Sequence, residues 1–349
     1  MILLRRAKET DLAGICKLPS YAGVGITTLP DDPEFLARRL KHACESFEKN
    51  TQIPGDEYYW FVLESIEANQ APEIIGVSAI EATSGAHAPF YSYALTKSSH
   101  QSESLSIKND YYFLTLSNEN QGKSELCTLF LKPAFRHHGN GLLLSRGRFL
   151  FMAAHPTRFT SSMIAELRGI IDETGISPFW EHVGKHFFHM PFTLADRLTM
   201  TSNKQFIAEL LPQIPIYMNL LPPEAQAVIG KPNAAGIAAM NILIREGFQW
   251  NNTVDIFDAG PTVEASISQI KTIQDCKLIP VKSIVKNLAP KATPHILGNH
   301  SFDFRATIAP VLIDESDPSL TIDQQTADLL AVQVNQSIQI VPLVQPRNT

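Results

Sequence analysis

The run Leu129-Phe130-Leu131-Lys132-Pro133-Ala134-Phe135-Arg136-His137-His138-Gly139-Asn140-Gly141-Leu142-Leu143-Leu144 decides how the rest of the sequence is read. An apolar strand enters Arg-x-x-Gly-x-Gly, and a helix opens on the glycines. Glycines there let the backbone curl until several N–H groups point at one spot, and the helix N-terminus adds partial positive charge. The pattern predicts an anion site suited to a pyrophosphate. A dinucleotide fingerprint wants three glycines straight after the first strand, with an acid about 20 residues on. Here the loop follows a later strand and lacks the third glycine. A P-loop needs Gly-Lys-Ser/Thr, which is absent. A plain glycine turn before a helix is the structural alternative.

Upstream, residues 2–6 read as a short strand, and Thr10-Asp11 caps a helix carrying Leu12, Ile15 and Leu18. The stretch Thr27-Thr28-Leu29-Pro30-Asp31-Asp32-Pro33 opens an amphipathic helix with Phe35, Leu36, Leu40 and Ala43 on one face. Residues 58–64 and 74–81 predict an antiparallel pair of strands. The Ser-, His- and Tyr-rich stretch 86–106 reads as a long irregular loop of the kind that often carries function. Strands follow at 111–116 and 126–131. Beyond the glycines come a helix to about residue 154, a strand at 163–167 and a helix at 178–187. Helix and strand then alternate from about 203 to 257, closing at Asp255-Ile256-Phe257-Asp258-Ala259-Gly260-Pro261. The tail predicts strands at 279–284, 296–297, 304–313 and 337–344, with a short helix at 324–330.

The 349 residues carry 29 Lys+Arg against 35 Asp+Glu, a net charge of −6, with 44% apolar and 18% charged residues. That composition buries a core and excludes disorder. No apolar run approaches the roughly 18 residues needed to span a bilayer. The start, Met1-Ile2-Leu3-Leu4-Arg5-Arg6, runs apolar then basic, the reverse of a secretory signal. The absence of a basic block argues against nucleic acid. Cysteines at 16, 44, 127 and 276 form neither a metal-ligand pair nor a disulfide framework, so neither metal nor secretion is expected. The expectation is a cytoplasmic protein acting on small molecules, with no membrane or nucleic-acid partner.

The Arg-x-x-Gly-x-Gly loop, in this order of elements, resembles that of the acyl-CoA-dependent N-acyltransferase (GNAT) superfamily. Longer blocks narrow the resemblance. Gly25-Ile26-Thr27-Thr28-Leu29-Pro30, Ser124 to Leu131, Ala165-Glu166-Leu167-Arg168-Gly169, Ser177-Pro178-Phe179-Trp180, Phe206 to Leu210, Glu224 to Gly230 and Asp255 to Thr262 resemble, in order, segments of the arginine N-succinyltransferase family. The resemblance implies an α/β (α+β) fold with a GNAT-like, mixed but mostly antiparallel sheet flanked by helices. It implies an acyl-CoA-binding core over 1–200, a second α/β part packed on it over 201–274, and a small β-rich C-terminal domain over 275–349. It also implies transfer of succinyl from succinyl-CoA to the α-amino group of arginine, the first step of the succinyltransferase route of arginine catabolism. Members form homo- or hetero-oligomers, and some accept ornithine.

Carried over by position, Leu129 matches the family's succinyl-CoA-contacting residue, with Phe130 and Leu131 on the same strand and Arg136, His137, His138, Gly139, Asn140 and Gly141 in the phosphate loop. The family's proton-donor histidine falls on Asn233, and further departures are Ala94 after Phe90-Tyr91-Ser92-Tyr93 and Pro191 after Met190. An amide relays no proton near neutral pH, so a weakened enzyme, a non-catalytic subunit of a hetero-oligomer and an acyltransferase for another amine all stay open. A guanidinium calls for carboxylates and a succinyl carboxylate for arginine. Glu125 and Glu166 are the candidate acid–base groups and Glu209 a substrate ligand. Arg168 is the candidate for the succinyl carboxylate, with Arg146 and Arg148 behind it. His186 is a candidate replacement for the missing histidine, although an edge position is its ordinary reading. Cys127 reads as an inert small hydrophobe.

Overall fold

The computed structural model describes residues 1–22, 28–201, 204–314 and 316–343. Gly25, Ile26 and Thr27 of the first resemblance block, Asn203 and Val344 lie outside the described residues. The strands are β1 (Ile2–Arg6), β2 (Tyr58–Ser65), β3 (Glu73–Glu81), β4 (Ser92–Ser102), β5 (Ile107–Ser117), β6 (Ser124–Leu131), β7 (Ser162–Glu166), β8 (Ile216–Tyr217), β9 (Gln249–Val254), β10 (Pro261–Ser266), β11 (Lys277–Val285), β12 (Thr293–Asn299), β13 (Arg305–Asp314), β14 (Ser319–Asp323) and β15 (Ser337–Pro342). All belong to one sheet, in the order β12-β15-β11-β14-β13-β1-β2-β3-β6-β7-β10-β9-β4-β5-β8. Among the described residues only β6–β7 and β11–β14 pair in parallel. The fold is mixed α/β.

Side-chain alternation explains how helices cover both faces of the centre. Along β2, Tyr58, Trp60 and Val62 point to one side, where the helix Pro33–Glu48 buries Leu36, Leu40 and Ala43. Tyr59, Phe61 and Leu63 point to the other, against Leu143, Leu144, Leu150 and Phe151 of the helix Asn140–Ala154. Asp32 accepts the Phe35 N–H at 3.0 Å, the N-cap that Asp31-Asp32-Pro33 predicts.

Two expectations are corrected and a third is sharpened. The supposed irregular loop is largely strand, since β4 pairs with β5 from Ser92↔Ser117 to Ser102↔Ile107. Its polar, exposed residues hide the alternation, because this hairpin reaches into solvent. The helix expected over 178–187 is two short ones, Pro178–His182 and Gly184–Phe188, broken at Val183 (φ −128°, ψ −77°). Gly184 sits where a Cβ would lie 2.2 Å from Trp180 Cε3. The β-rich tail is a closed barrel of β11 to β15: β12 pairs with both β15 and β13, and β13 continues into the main sheet through β1. Its strand β14 has too short an apolar pattern to announce itself. The helix Gln324–Leu330 stands where the sequence puts it.

Candidate functional site

The site begins where two parallel strands part. β6 and β7 are paired at Ser124↔Met163 and Glu125↔Ile164. Beyond that, β7 follows β10 (Val263↔Ala165, Thr262↔Glu166), whereas β6 stays on β3 as far as Gly76↔Leu131. A wedge therefore opens along residues 126–131 of β6, and among the described residues the edge facing it has no partner strand. In the same span β6 bulges: Val77 pairs with Phe130 and Ala79 with Cys127, so Thr128 and Leu129 together face Ser78. Thr128 takes φ +51° and its hydroxyl lies 2.7 Å from the Tyr58 hydroxyl. Leu129 is half-buried at the wedge, with Phe130 and Leu131 beside it.

The glycine loop follows. A 3-10 turn, Pro133–Phe135, hands the chain to Arg136, whose Nε donates to the Leu131 carbonyl at 3.0 Å. His138 (φ +52°) and Gly139 (φ +81°) then reverse the backbone in the left-handed region. The Asn140 side chain donates to the Phe135 carbonyl at 3.0 Å, which ties the loop to itself. Among the described residues no side chain caps the helix; the Asn140 N–H goes to the His137 carbonyl at 3.1 Å, which leaves the next N–H groups of the turn for the loop concavity. Arg136, His137 and His138 are exposed around it.

Wedge and loop open into one cleft of about 1280 Å³, lined at its far end by Glu81, Glu125, Glu166, Asp196, Asp255 and Asp258. Glu81 and Glu125 are opposite each other on β3 and β6. Burial, then the Glu81 charge, pushes the Glu125 carboxyl up to about 8. Glu166 is held well above the usual carboxylate range, first by burial and then by Asp255 and Glu125; its Oε1 has no hydrogen-bond partner among the described residues. Burial and Asp255 also raise Asp258, to about 7. Arg168 is held by Asp196 through both guanidinium nitrogens and by Asp258 at 3.1 Å. Two glycines permit this crossing. A Cβ on Gly169 would lie 2.2 Å from the Asp258 carbonyl oxygen, and one on Gly260 would lie 1.9 Å from that of Leu167.

Leu129 to Leu131, Arg136 to Gly139, Gly141, Glu125, Glu166, Arg168 and Asn233 all line this cleft, and Asn140 braces its loop. The Asn233 N–H donates to the Arg168 carbonyl at 2.8 Å, and its Oδ1 accepts the Gly236 N–H at 2.7 Å. His186 and Glu209 are not brought there. Both are exposed, and Glu209 accepts from Gln205 at 2.8 Å. Arg146 is also elsewhere, buried against Glu246 and Thr272. Sequence reasoning missed Glu81, Asp196, Asp255 and Asp258 as cleft residues. Glu81 ends an expected strand and Asp255 opens a quoted block, but only pairing and packing bring them beside Glu125. At the rim His42, Asp56 and His87 bring ligand atoms within 4.8 Å of one another, with the Lys49 ammonium 3.0 Å from Asp56 already neutralising that carboxylate. No helix among the described residues is long and apolar enough to cross a membrane.

The sequence model of the arginine N-succinyltransferase beta subunit matches residues 2–272, and that of the same subunit's C-terminal domain matches residues 277–342. Arginine N-succinyltransferase of Enterobacter sp. (strain 638) is 39% identical over 351 residues, covering 100% of both chains. The enzyme so named from Yersinia pestis (strain Pestoides F) is 39% identical over 354 residues, covering 99% of each. Among solved structures, arginine/ornithine succinyltransferase subunit AI from Pseudomonas aeruginosa superposes with a TM-score of 0.87 at 34% identity, covering 99% of both chains.

Proposed function

Since the chain belongs to the arginine N-succinyltransferase family, we propose that its cleft transfers succinyl from succinyl-CoA to the α-amino group of L-arginine, as the arginine-consuming step of the succinyltransferase route. The observation that carries this reading is the continuity of the cleft: one cavity joins an anion-binding loop, an unpaired strand edge and a cluster of carboxylates.

Each part suits one piece of the substrates. The loop Arg136 to Gly141 takes the pyrophosphate of CoA, as in the GNAT superfamily that the loop resembles. The free edge of β6 pairs with the amides of the pantetheine arm, in the manner of an added strand. N–H groups near Leu129 and Phe130 stabilise the oxyanion. The carboxyls around Glu125 and Glu166 face the guanidinium. The amine nitrogen attacks the thioester carbonyl, the C–S bond breaks, and the proton shed by the nitrogen passes through water to the departing thiolate. Asn233, in the place of the family histidine, orients substrate without relaying a proton. Arg168, held by Asp196 and Asp258, contributes a fixed positive charge within the carboxylate cluster. His186 and Glu209 have no part in this scheme, because both lie outside the cleft.

We read the chain as an acyl-CoA-binding core (1–200), a second part packed on it (201–274) and a C-terminal domain (275–349), acting in the cytoplasm as a homo- or hetero-oligomer. Release of free thiol from succinyl-CoA in the presence of amines tests the activity. Release with arginine supports the reading. Release only with another amine such as ornithine moves the acceptor, and CoA binding without turnover assigns a non-catalytic subunit.

A further inference from the structure

Among the described residues, one buried arginine in the cleft has no counter-ion. Arg5 faces Asp11 and Glu64, Arg39 faces Glu81, Arg146 faces Glu246, and Arg168 faces Asp196 and Asp258. Arg158 is satisfied by the carbonyls of Ser46 and Lys49 and stacks over Phe302, away from the cleft. Arg148 lines the cleft and is 2% exposed. Among the described residues its guanidinium meets only neutral acceptors at long range: the Ser145 carbonyl at 3.2 Å, the Ala79 carbonyl at 3.3 Å and the Ser145 hydroxyl at 3.3 Å. Three of the five N–H donors of an arginine are thereby used and two remain.

The place of this charge matters. Ala79 pairs with Cys127, next to the bulge at Thr128 and Leu129 where β6 parts from β7. Arg148 also belongs to the helix that opens on the phosphate loop. It thus stands between the wedge and the glycine loop, two residues along β3 and β6 from the Glu81–Glu125 pair, and no carboxylate among the described residues makes an ion pair with it. Burial lowers its pKa to about 10, which still leaves it cationic at neutral pH. A buried, uncompensated cation is costly, and an anion supplied by a ligand removes the cost.

We propose that Arg148 is the acyl-carboxylate subsite: its two remaining N–H donors take the free carboxylate of a dicarboxylic acyl thioester and so select succinyl-CoA over donors ending in a methyl group. The inference rests on the acyltransferase reading above and names the residue that fixes its donor. It accounts for a charge that the packing does not otherwise use.

The test compares succinyl-CoA with butyryl-CoA, which replaces the carboxylate by a methyl group, on wild type, R148M and R148K. Calorimetric binding of each donor reads the subsite whatever the acceptor amine, so it decides the matter even if wild type fails to succinylate arginine. Wild type is expected to bind succinyl-CoA more tightly. R148M is expected to lose that preference by about 10- to 100-fold, the worth of a charged hydrogen-bonded contact, with butyryl-CoA binding unchanged. R148K is expected to recover part of it. Because methionine removes an unpaired buried charge, the melting temperature of R148M is expected to hold or rise. Equal losses for both donors, a fall in melting temperature without a change in donor preference, or a wild type that does not discriminate would overturn the proposal. So would a change confined to discrimination between arginine and agmatine, which lacks the α-carboxylate, since that would place the acceptor's carboxylate on Arg148.

Discussion

The Glu125 carboxyl stands near pH 8 because burial and the Glu81 charge disfavour its anion. A guanidinium placed beside it would favour the anion, so arginine binding at pH 7 is expected to release protons. Calorimetry in two buffers of different ionisation enthalpy reads this directly, and E125Q is expected to reduce the release. The same shift has a consequence for stability. A free glutamic acid titrates at about 4.3, so the folded chain holds this proton where the unfolded chain has lost it. The stabilisation is present below the unfolded value and disappears as pH rises through about 8. The melting temperature of E125Q is therefore expected to gain on wild type between pH 6 and pH 9. A gap that stays constant with pH would show that the carboxyl is not held protonated by the fold. Asn233 poses the complementary question. In the function proposed above its amide takes the place of a proton-donor histidine, and acid–base help is worth about 10²–10⁴-fold. Asn233→His is expected to raise turnover by at least about tenfold, with the gain titrating with the imidazole. No gain would count against Asn233 occupying the donor position.

At the scale of elements, local pattern carried the reading where local chemistry sets the structure. Strand, glycine loop and helix at 124–154 were legible because a loop of this kind needs its glycines in place, and the helix Pro33–Glu48 because its cap and apolar face are contiguous. Of the hairpin β4–β5 only the second half of β5 was legible, because the exposed residues of β4 carry no apolar alternation. The carboxylate cluster was only half legible. Glu125 and Glu166 sit in recognisable blocks, while Asp196 reaches the site from a helix 28 residues beyond Arg168. The two loop glycines separate conformation from space. Gly139 has φ +81° and its Cβ would lie 3.0 Å from Ile308 Cδ1, whereas a Cβ on Gly141 meets nothing within 4 Å. Gly139→Val is expected to lower the melting temperature and raise the KM for succinyl-CoA about tenfold, the scale of a strained backbone position. Gly141→Ala is expected to leave stability within about 0.5 kcal/mol but still raise that KM, because its methyl group occupies the concavity intended for phosphate. If Gly141→Ala leaves the KM unchanged, the loop does not hold the pyrophosphate.

Taken as a whole molecule, the barrel at the C-terminal end buttresses the glycine loop. Gly139 packs toward Ile308 and Leu343, and the Gln339 amide donates to the Leu150 carbonyl of the loop helix at 2.9 Å. The strongest tie is Arg146 on that helix. It donates to the carbonyls of Pro342 and Leu343 at 3.0 Å each and to Thr272 at 2.8 Å, and faces Glu246 at 3.1 Å. Glu246 in turn accepts the Thr272 N–H at 2.7 Å. Both members of the pair are 2% exposed, so solvent screens little of their interaction. The arrangement joins residues distant in sequence, which is why Arg146 read as a candidate for substrate and proves to be a brace. Breaking a buried pair by removing one partner costs about 3–5 kcal/mol, whereas replacing both is often close to neutral. Glu246→Gln is therefore expected to lower stability by about 3 kcal/mol in denaturant unfolding and to raise the KM for succinyl-CoA, because the loop helix loses its anchor. The double variant R146M/E246Q is expected to regain much of the stability but little of the affinity, since the ties to Pro342 and Leu343 go with the arginine. A double variant that restores both would mean that the loop holds its shape without the barrel.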